Sequence, residues 1–199
     1  RPDLVLLGGD YVSGSPRFIP DAAKALGSLV AAPLGAVAVL GNHDHSVGAD
    51  RVEEALQAQG ITVLRNGAAA ANWHGSRLWI AGPEDSLLGR PDLAATFASI
   101  PTGAATLALW HEAQFAEQTA ACGAFAQLSG HSHGGQIRFP VVGALPVALP
   151  PHGRRHVMGL NCANGMPVYT SRGVGVYQPP MRLLCPPEVV LVTLRSGPG

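Results

Sequence analysis

Short apolar runs alternate with amphipathic stretches along most of the chain. Residues 4–7 (Leu-Val-Leu-Leu) and 36–40 (Ala-Val-Ala-Val-Leu) contain no polar position, the pattern of strands buried on both faces. The first run closes on Gly8-Gly9-Asp10, the second on Gly41-Asn42-His43-Asp44. Between them, Leu26, Leu29 and Val30 recur at helical spacing, so a helix is predicted over 22–32, capped by Asp21 and stopped at Pro33. Asp50 with Glu53 resembles a capping box for a second helix, whose buried stripe is Val52, Ala55 and Leu56 and whose end is Gly60. Further strands are predicted over 61–64, 77–81, 106–110, 125–128, 168–170 and 189–194, with helices opening at Pro91-Asp92 and near 113–121. The alanine-rich stretch between 64 and 77 has no clear period.

Length and composition narrow the class. With 199 residues, 47% of them hydrophobic, the chain can bury one substantial core, and one domain over 1–199 is expected. Only 13% of residues are charged and the formal net charge is zero, so no basic face points to nucleic acid. Cys122, Cys162 and Cys185 are odd in number and widely spaced, which suits buried thiols better than a disulfide framework. No apolar stretch approaches the roughly 20 residues of a membrane-spanning helix.

The candidate chemistry lies at the strand ends. Four predicted strands finish on residues of metal-ligand type: Asp10, Asn42-His43, His111, and the pair His131 and His133 within Gly130-His131-Ser132-His133-Gly134-Gly135-Gln136. In an α/β sheet the carboxyl ends of parallel strands share one edge, so residues far apart in sequence converge there. A carboxylate, an amide oxygen and imidazoles form a mixed shell suited to Mn, Fe or Zn. His43 follows Asn42 directly, so both side chains do not easily reach one ion; His43 is better placed as a proton donor, with Asp44 to orient its ring.

These motifs, in this order, resemble four of the five motifs of the calcineurin-like metallophosphoesterases. The long form His131-Ser132-His133-Gly134-Gly135-Gln136-Ile137-Arg138, with Tyr169-Thr170-Ser171-Arg172-Gly173 and Cys185-Pro186-Pro187-Glu188, is similar to the bacterial, membrane-associated phosphodiesterase branch. The resemblance implies an αββα sandwich of two mixed sheets in four layers and two divalent metal ions. It implies Asp10 as the ligand shared by both ions, Asn42, His111 and His131 as the rest of one site, and His133 as a ligand of the other. His43 then matches the catalytic histidine and Asp44 its partner. The implied reaction is hydrolysis of a phosphodiester or pyrophosphate. The branch points to a lipid-linked or cell-envelope substrate such as a UDP-diacylglucosamine-like molecule, and to membrane association through a segment upstream of Arg1, with the cytoplasm as the other expectation.

Two departures qualify that picture. The family's Asp-x-His motif is absent, and truncation before Arg1, with loss of the first strand, is the expected reason. After His111 the chain reads Glu112-Ala113-Gln114, where many relatives carry Glu-Pro-Asp. The alternative to an enzyme is a fold that has lost catalysis and acts as a protein-binding scaffold. Retention of His43 speaks against it, since a scaffold needs no proton donor. His45, His74, His152 and His156 read as rim or surface histidines. Trp73, Trp79 and Trp110 read as packing residues, and Arg154, Arg155 and Arg172 as loop cations able to meet a phosphate.

Overall fold

The computed structural model describes residues 1–144 and 155–195. Two sheets stack at its centre. The smaller holds β1 (Val5–Leu7), β2 (Ala36–Val39) and β3 (Thr62–Leu64), all parallel, in the order β1-β2-β3. The larger is mixed, with the order β10-β11-β7-β6-β5-β4: β4 (Gly67–Trp73), β5 (Ser76–Gly82), β6 (Thr106–Leu109), β7 (Ala126–Ser129), β10 (Gly159–Ala163) and β11 (Met166–Thr170). Its central strands β5, β6, β7 and β11 run parallel, and the outer strands β4 and β10 are antiparallel to their neighbours. A small ribbon, β8 (Arg138–Phe139) with β9 (Gly143–Ala144), stands apart.

Period-two alternation sorts the core into three seams. From β2, Val37 and Val39 face the second sheet and pack with Leu64, Ile80 and Leu109. The alternate residues Ala36 and Ala38, with Leu40 just beyond, face the helices α1 (Ile19–Gly27) and α2 (Asn42–Gln57), where Ile19, Ala23, Val52 and Leu56 close the outer layer. On the far side, Ala108 and Val168 pack with Ala116 of α4 (Ala116–Ala121), and Phe97 of α3 (Leu93–Phe97) joins them. The layers are thus α, β, β, α, in agreement with the expected sandwich. Only the six-stranded sheet is mixed.

Several elements differ from expectation. The first helix begins at Ile19, with Pro20 in its first turn, and gives way to a 3-10 turn over Ser28–Ala31. The second begins at Asn42, eight residues ahead of Asp50, because Gly48 (φ 115°) breaks the helix into two limbs; the sequence pattern reports only the second. The alanine-rich stretch is β4, joined to β5 by a turn with His74 (φ 47°) and Gly75 (φ 82°), which leaves Trp73 partly exposed on the hairpin. Residues 189–194 form no strand. Among the described residues they pair with no strand, and Val189 and Leu191 are 90% and 80% exposed, so β-branched propensity alone does not make a ladder there. No helix among the described residues is long and apolar enough to cross a membrane. His152, Arg154 and much of the apolar 139–151 stretch lie outside the described residues.

Two buried polar side chains fix the geometry between elements. Gln127, on β7, accepts from Thr119 Oγ1 of α4 at 2.6 Å and donates to the Glu112 carbonyl at 3.1 Å and to Ser129 Oγ at 3.0 Å. Asp44, fully buried on the first turn of α2, accepts four backbone amides: Asp10 at 2.7 Å, Tyr11 at 2.9 Å, Val12 at 3.0 Å and Gly41 at 3.0 Å. One carboxylate thereby ties the loop after β1 to the loop after β2. Removing it strands four donors, two of them in fully buried bonds, at about 1–3 kcal/mol for each one left unpaired. We expect Asp44→Ala to lower stability by at least about 3 kcal/mol in urea titration. Asp44→Asn, which keeps one acceptor oxygen, should lose less. Gln127→Leu should cost about 1–3 kcal/mol, whereas Gln118→Leu on the exposed face of α4 should stay within about 0.5 kcal/mol of the parent.

Candidate metal centre

The strand ends of both sheets meet at one place. Asp10 follows β1 with a left-handed backbone (φ 61°) that lifts its carboxylate out of the strand direction. Its Oδ1 accepts from the His43 amide at 2.8 Å, and its Oδ2 lies 3.2 Å from His111 Nε2. His111, just beyond β6, is buried, and its Nδ1 donates to the Gly8 carbonyl at 2.6 Å. His131, also left-handed (φ 65°), places Nδ1 3.2 Å from the same His111 Nε2. Ligand atoms of Asp10, His111 and His131 all lie within 4.8 Å of one another.

The approach is close enough to dictate two glycines. A Cβ on Gly9 (φ 96°) would sit 2.7 Å from His111 Nδ1. A Cβ on Gly41 would collide with the Asp10 carboxylate and sit 2.7 Å from His111 Nε2. The glycines of the Gly-Asp and Gly-Asn-His motifs therefore exist to let two loops and an imidazole touch.

Electrostatics at this cluster fit a cation. Since the Nδ1 proton of His111 is committed to Gly8, its Nε2 faces a carboxylate and a second imidazole. Burial opposes charge on His111, but Asp10 outweighs it and raises the imidazole to about 10. Burial likewise opposes charge on Asp10, yet His111 and His43 hold the carboxyl well below the usual range. Partial burial and the neighbouring His111 charge push His131 down to about 4; burial also lowers His133. The lone pairs of His131 and His133 are thus available. Asn42 Oδ1, His131 Nε2 and His133 Nδ1 are all buried without a hydrogen-bond partner. An unpartnered amide oxygen and imidazole nitrogens beside a buried carboxylate fit a divalent ion.

His43 occupies the rim. Its Nδ1 is 3.2 Å from Ser13 Oγ, and its ring lies against Tyr177, with centroids 4.9 Å apart. The carboxylate of Asp44 hydrogen-bonds to backbone amides, and burial, reinforced by the Asp10 charge, raises it to about 6 against the pull of those donors. Its effect on His43 runs through the loop scaffold, and the residue bonded to the ring is Ser13.

Other polar residues settle around this centre. Behind His111, Glu112 and Asp85 form a buried carboxyl pair. Burial and the Asp85 charge raise Glu112 to about 8, while Asp85 is held low by the Glu112 proton and the amides of Leu88 and Gly89. His45 lies 3.6 Å from Glu84, which pairs with Arg65 in a cluster that includes Asp50 and Glu53. Arg155 pairs with Glu117 and Arg172 with Glu188, so both already have anionic partners within the chain. Ser13, Asp85 and Tyr177 escaped the sequence reading, and Gln136 was noted there without a role. Of these only Gln136 sat inside a recognisable motif.

Comparison with known proteins identifies the family. The metallophosphoesterase YkuE of Bacillus subtilis is 34% identical over 199 residues, covering 98% of this chain and 69% of its own. The phosphodiesterase YaeI of Escherichia coli is 36% identical over 198 residues, covering 98% and 71%. Among solved structures, the NAD nucleotidase of Haemophilus influenzae superposes with a TM-score of 0.51 at 17% identity, over 85% of this chain and 40% of that one, a likeness of fold. The profile of the family described as calcineurin-like phosphoesterase matches residues 1–134, the stretch that carries Asp10, Asn42, His43, His111, His131 and His133. The chain belongs to the calcineurin-like phosphoesterase family.

Proposed function

We propose that the protein, acting as one domain, hydrolyses a phosphodiester or pyrophosphate bond at a centre holding two divalent ions of the Mn, Fe or Zn class. The observation that carries this reading is the set of buried, unpartnered acceptors, Asn42 Oδ1, His131 Nε2 and His133 Nδ1, around the Asp10–His111 pair. Ions bound there would lower the pKa of a water and neutralise charge on the phosphoryl oxygens. The name of the Escherichia coli relative, a phosphodiesterase, supports the diester.

The protein's own residues divide the work. Asp10 and His111 form the floor of the site, with His111 held in one tautomer by Gly8. In our reading Asn42 and His131 complete one ligand set, and His133 with Asp10 begins the other. A Ser13 hydroxyl donating to His43 Nδ1 would leave the proton on Nε2, where it can pass to a departing alkoxide. Asp44 contributes by holding Asp10 and the backbone of Gly41 in place.

A lipid-linked or cell-envelope substrate, and association with a membrane, are the finer part of this proposal. Val174, Val176, Met181 and Leu184 flank Tyr177 with their side chains exposed, an apolar rim suited to a substrate with an apolar portion.

Two measurements test the reading. With Mn²⁺ supplied, His43→Ala should keep the parental metal content and lower turnover of bis(p-nitrophenyl) phosphate by about 10²–10⁴-fold, the range for a lost general acid. Loss of metal along with turnover would make His43 a ligand. Metal analysis should also rank the ligands. His131→Ala is expected to remove the tightly held ion, whereas His133→Ala should leave it in place, because Asp10 and His133 alone fall short of the three protein ligands that catalytic sites usually supply.

A further inference from the structure

The segment from Arg172 to Glu188 forms no helix or long strand and touches the metal centre at His43, through Tyr177, and at His133, through Arg182. It is held by polar contacts to the loop that carries His131 and His133. Arg182 donates to the carbonyls of His133, Arg172 and Gly175. Ile137 forms a bridge with Leu183, and the Arg138 amide donates to the Leu183 carbonyl at 2.9 Å. The central contact is Gln136, 8% exposed and left-handed at φ 48°. Its Oε1 accepts from the Tyr177 amide at 2.7 Å, and its Nε2 donates to the carbonyls of Tyr177 and Pro179, each at 2.9 Å. Both ends of this amide are committed to the backbone on either side of one aromatic residue.

The outcome of that clamp is the position of Tyr177. Its ring lies against the His43 imidazole, yet the residue remains 53% exposed. A rigid aromatic surface is therefore held open to water next to the group we assign as proton donor. Such a surface gains burial and ring-to-ring contact only when a ligand covers it.

We infer that Tyr177 is a specificity-determining residue that stacks on a flat, apolar group of the phosphoester, and that Gln136 is the positioning residue that holds it there. The substrate class is a phosphoester with an aryl or similarly planar substituent on the side facing His43. Aliphatic esters would lack the stacking partner. This inference rests on the proposed phosphoesterase reading and adds to it which substituent is preferred.

Phenylphosphonate and methylphosphonate, which differ only in the ring, separate the two ideas. Their dissociation constants would be measured by calorimetry on the Mn²⁺-supplied protein and its variants. The parent should favour phenylphosphonate by about threefold to tenfold, the range for one aromatic contact. Tyr177→Ala should bring the ratio close to one without changing methylphosphonate affinity or metal content, and Tyr177→Phe should restore it. Gln136→Met, at parental metal content, should reduce the ratio in the same direction. An unchanged ratio in Tyr177→Ala, with both phosphonates still bound, would overturn the stacking role and leave the phosphoesterase reading standing. Failure of the parent to bind either phosphonate would overturn both.

Discussion

The arrangement of the site depends on one buried carboxylate. Asp44 gathers amides from Asp10, Tyr11, Val12 and Gly41, which belong to loops that leave different strands. Without that common acceptor the two loops would have no shared reference. The Asp10 carboxylate and the His43 amide could not then be relied on to meet at 2.8 Å. The cost of burying Asp44 is visible in its raised pKa, and four amide donors are what make the burial tolerable. Tyr11 completes the junction, with its hydroxyl donating toward the Leu7 and Val39 carbonyls at the ends of β1 and β2.

Close approach is the second constraint. The floor of the site is made of backbone as much as of side chains, because Gly9 and Gly41 let His111 reach the loop of Gly8. Left-handed conformations at Asp10, His131 and His133 complete the effect. These non-glycine residues sit in a region that ordinarily costs about 1 kcal/mol or more, and they cluster where the candidate ligands are.

Much of this architecture was legible in the sequence, for definite reasons. Runs such as 36–40 could only be doubly buried strands, and parallel strands bring their carboxyl ends to one edge, so the grouping of Asp10, His111 and His131 followed from pattern alone. What escaped had no periodic signal. β10 escaped, although the strand predicted over 168–170 is its partner β11 and the Asn164-Gly165 turn joining them, with φ 50° and 83°, is a hairpin signature that local reading of the Asn-Gly pair could have found. β4 is mostly alanine, whose side chain discriminates poorly between states. The sequence reading gave Asp44 to His43 because they are neighbours in the chain; the structure shows that adjacency on a helix start sends the carboxylate back toward the incoming loops. Residues 189–194 mislead in the opposite sense, since strand-like composition without a paired neighbour produces no strand.

The candidate ligands come from both sheets. Asp10 and Asn42 follow strands of the parallel sheet, whereas His111, His131 and His133 follow strands of the mixed one. Apart from polar links at the rim, such as His111 to the Gly8 carbonyl and Arg65 to Glu84, the two sheets meet along a seam of valine, leucine and isoleucine contacts, which has no directional preference. A cation seated among these ligands would work as a clasp across that seam, fixing the slide and tilt that apolar packing leaves free. Folding and loading then become one thermodynamic quantity: at an ion concentration a hundred times the dissociation constant the native state gains about 2.7 kcal/mol. The melting temperature of the protein would therefore report the occupancy of its centre without any turnover being measured.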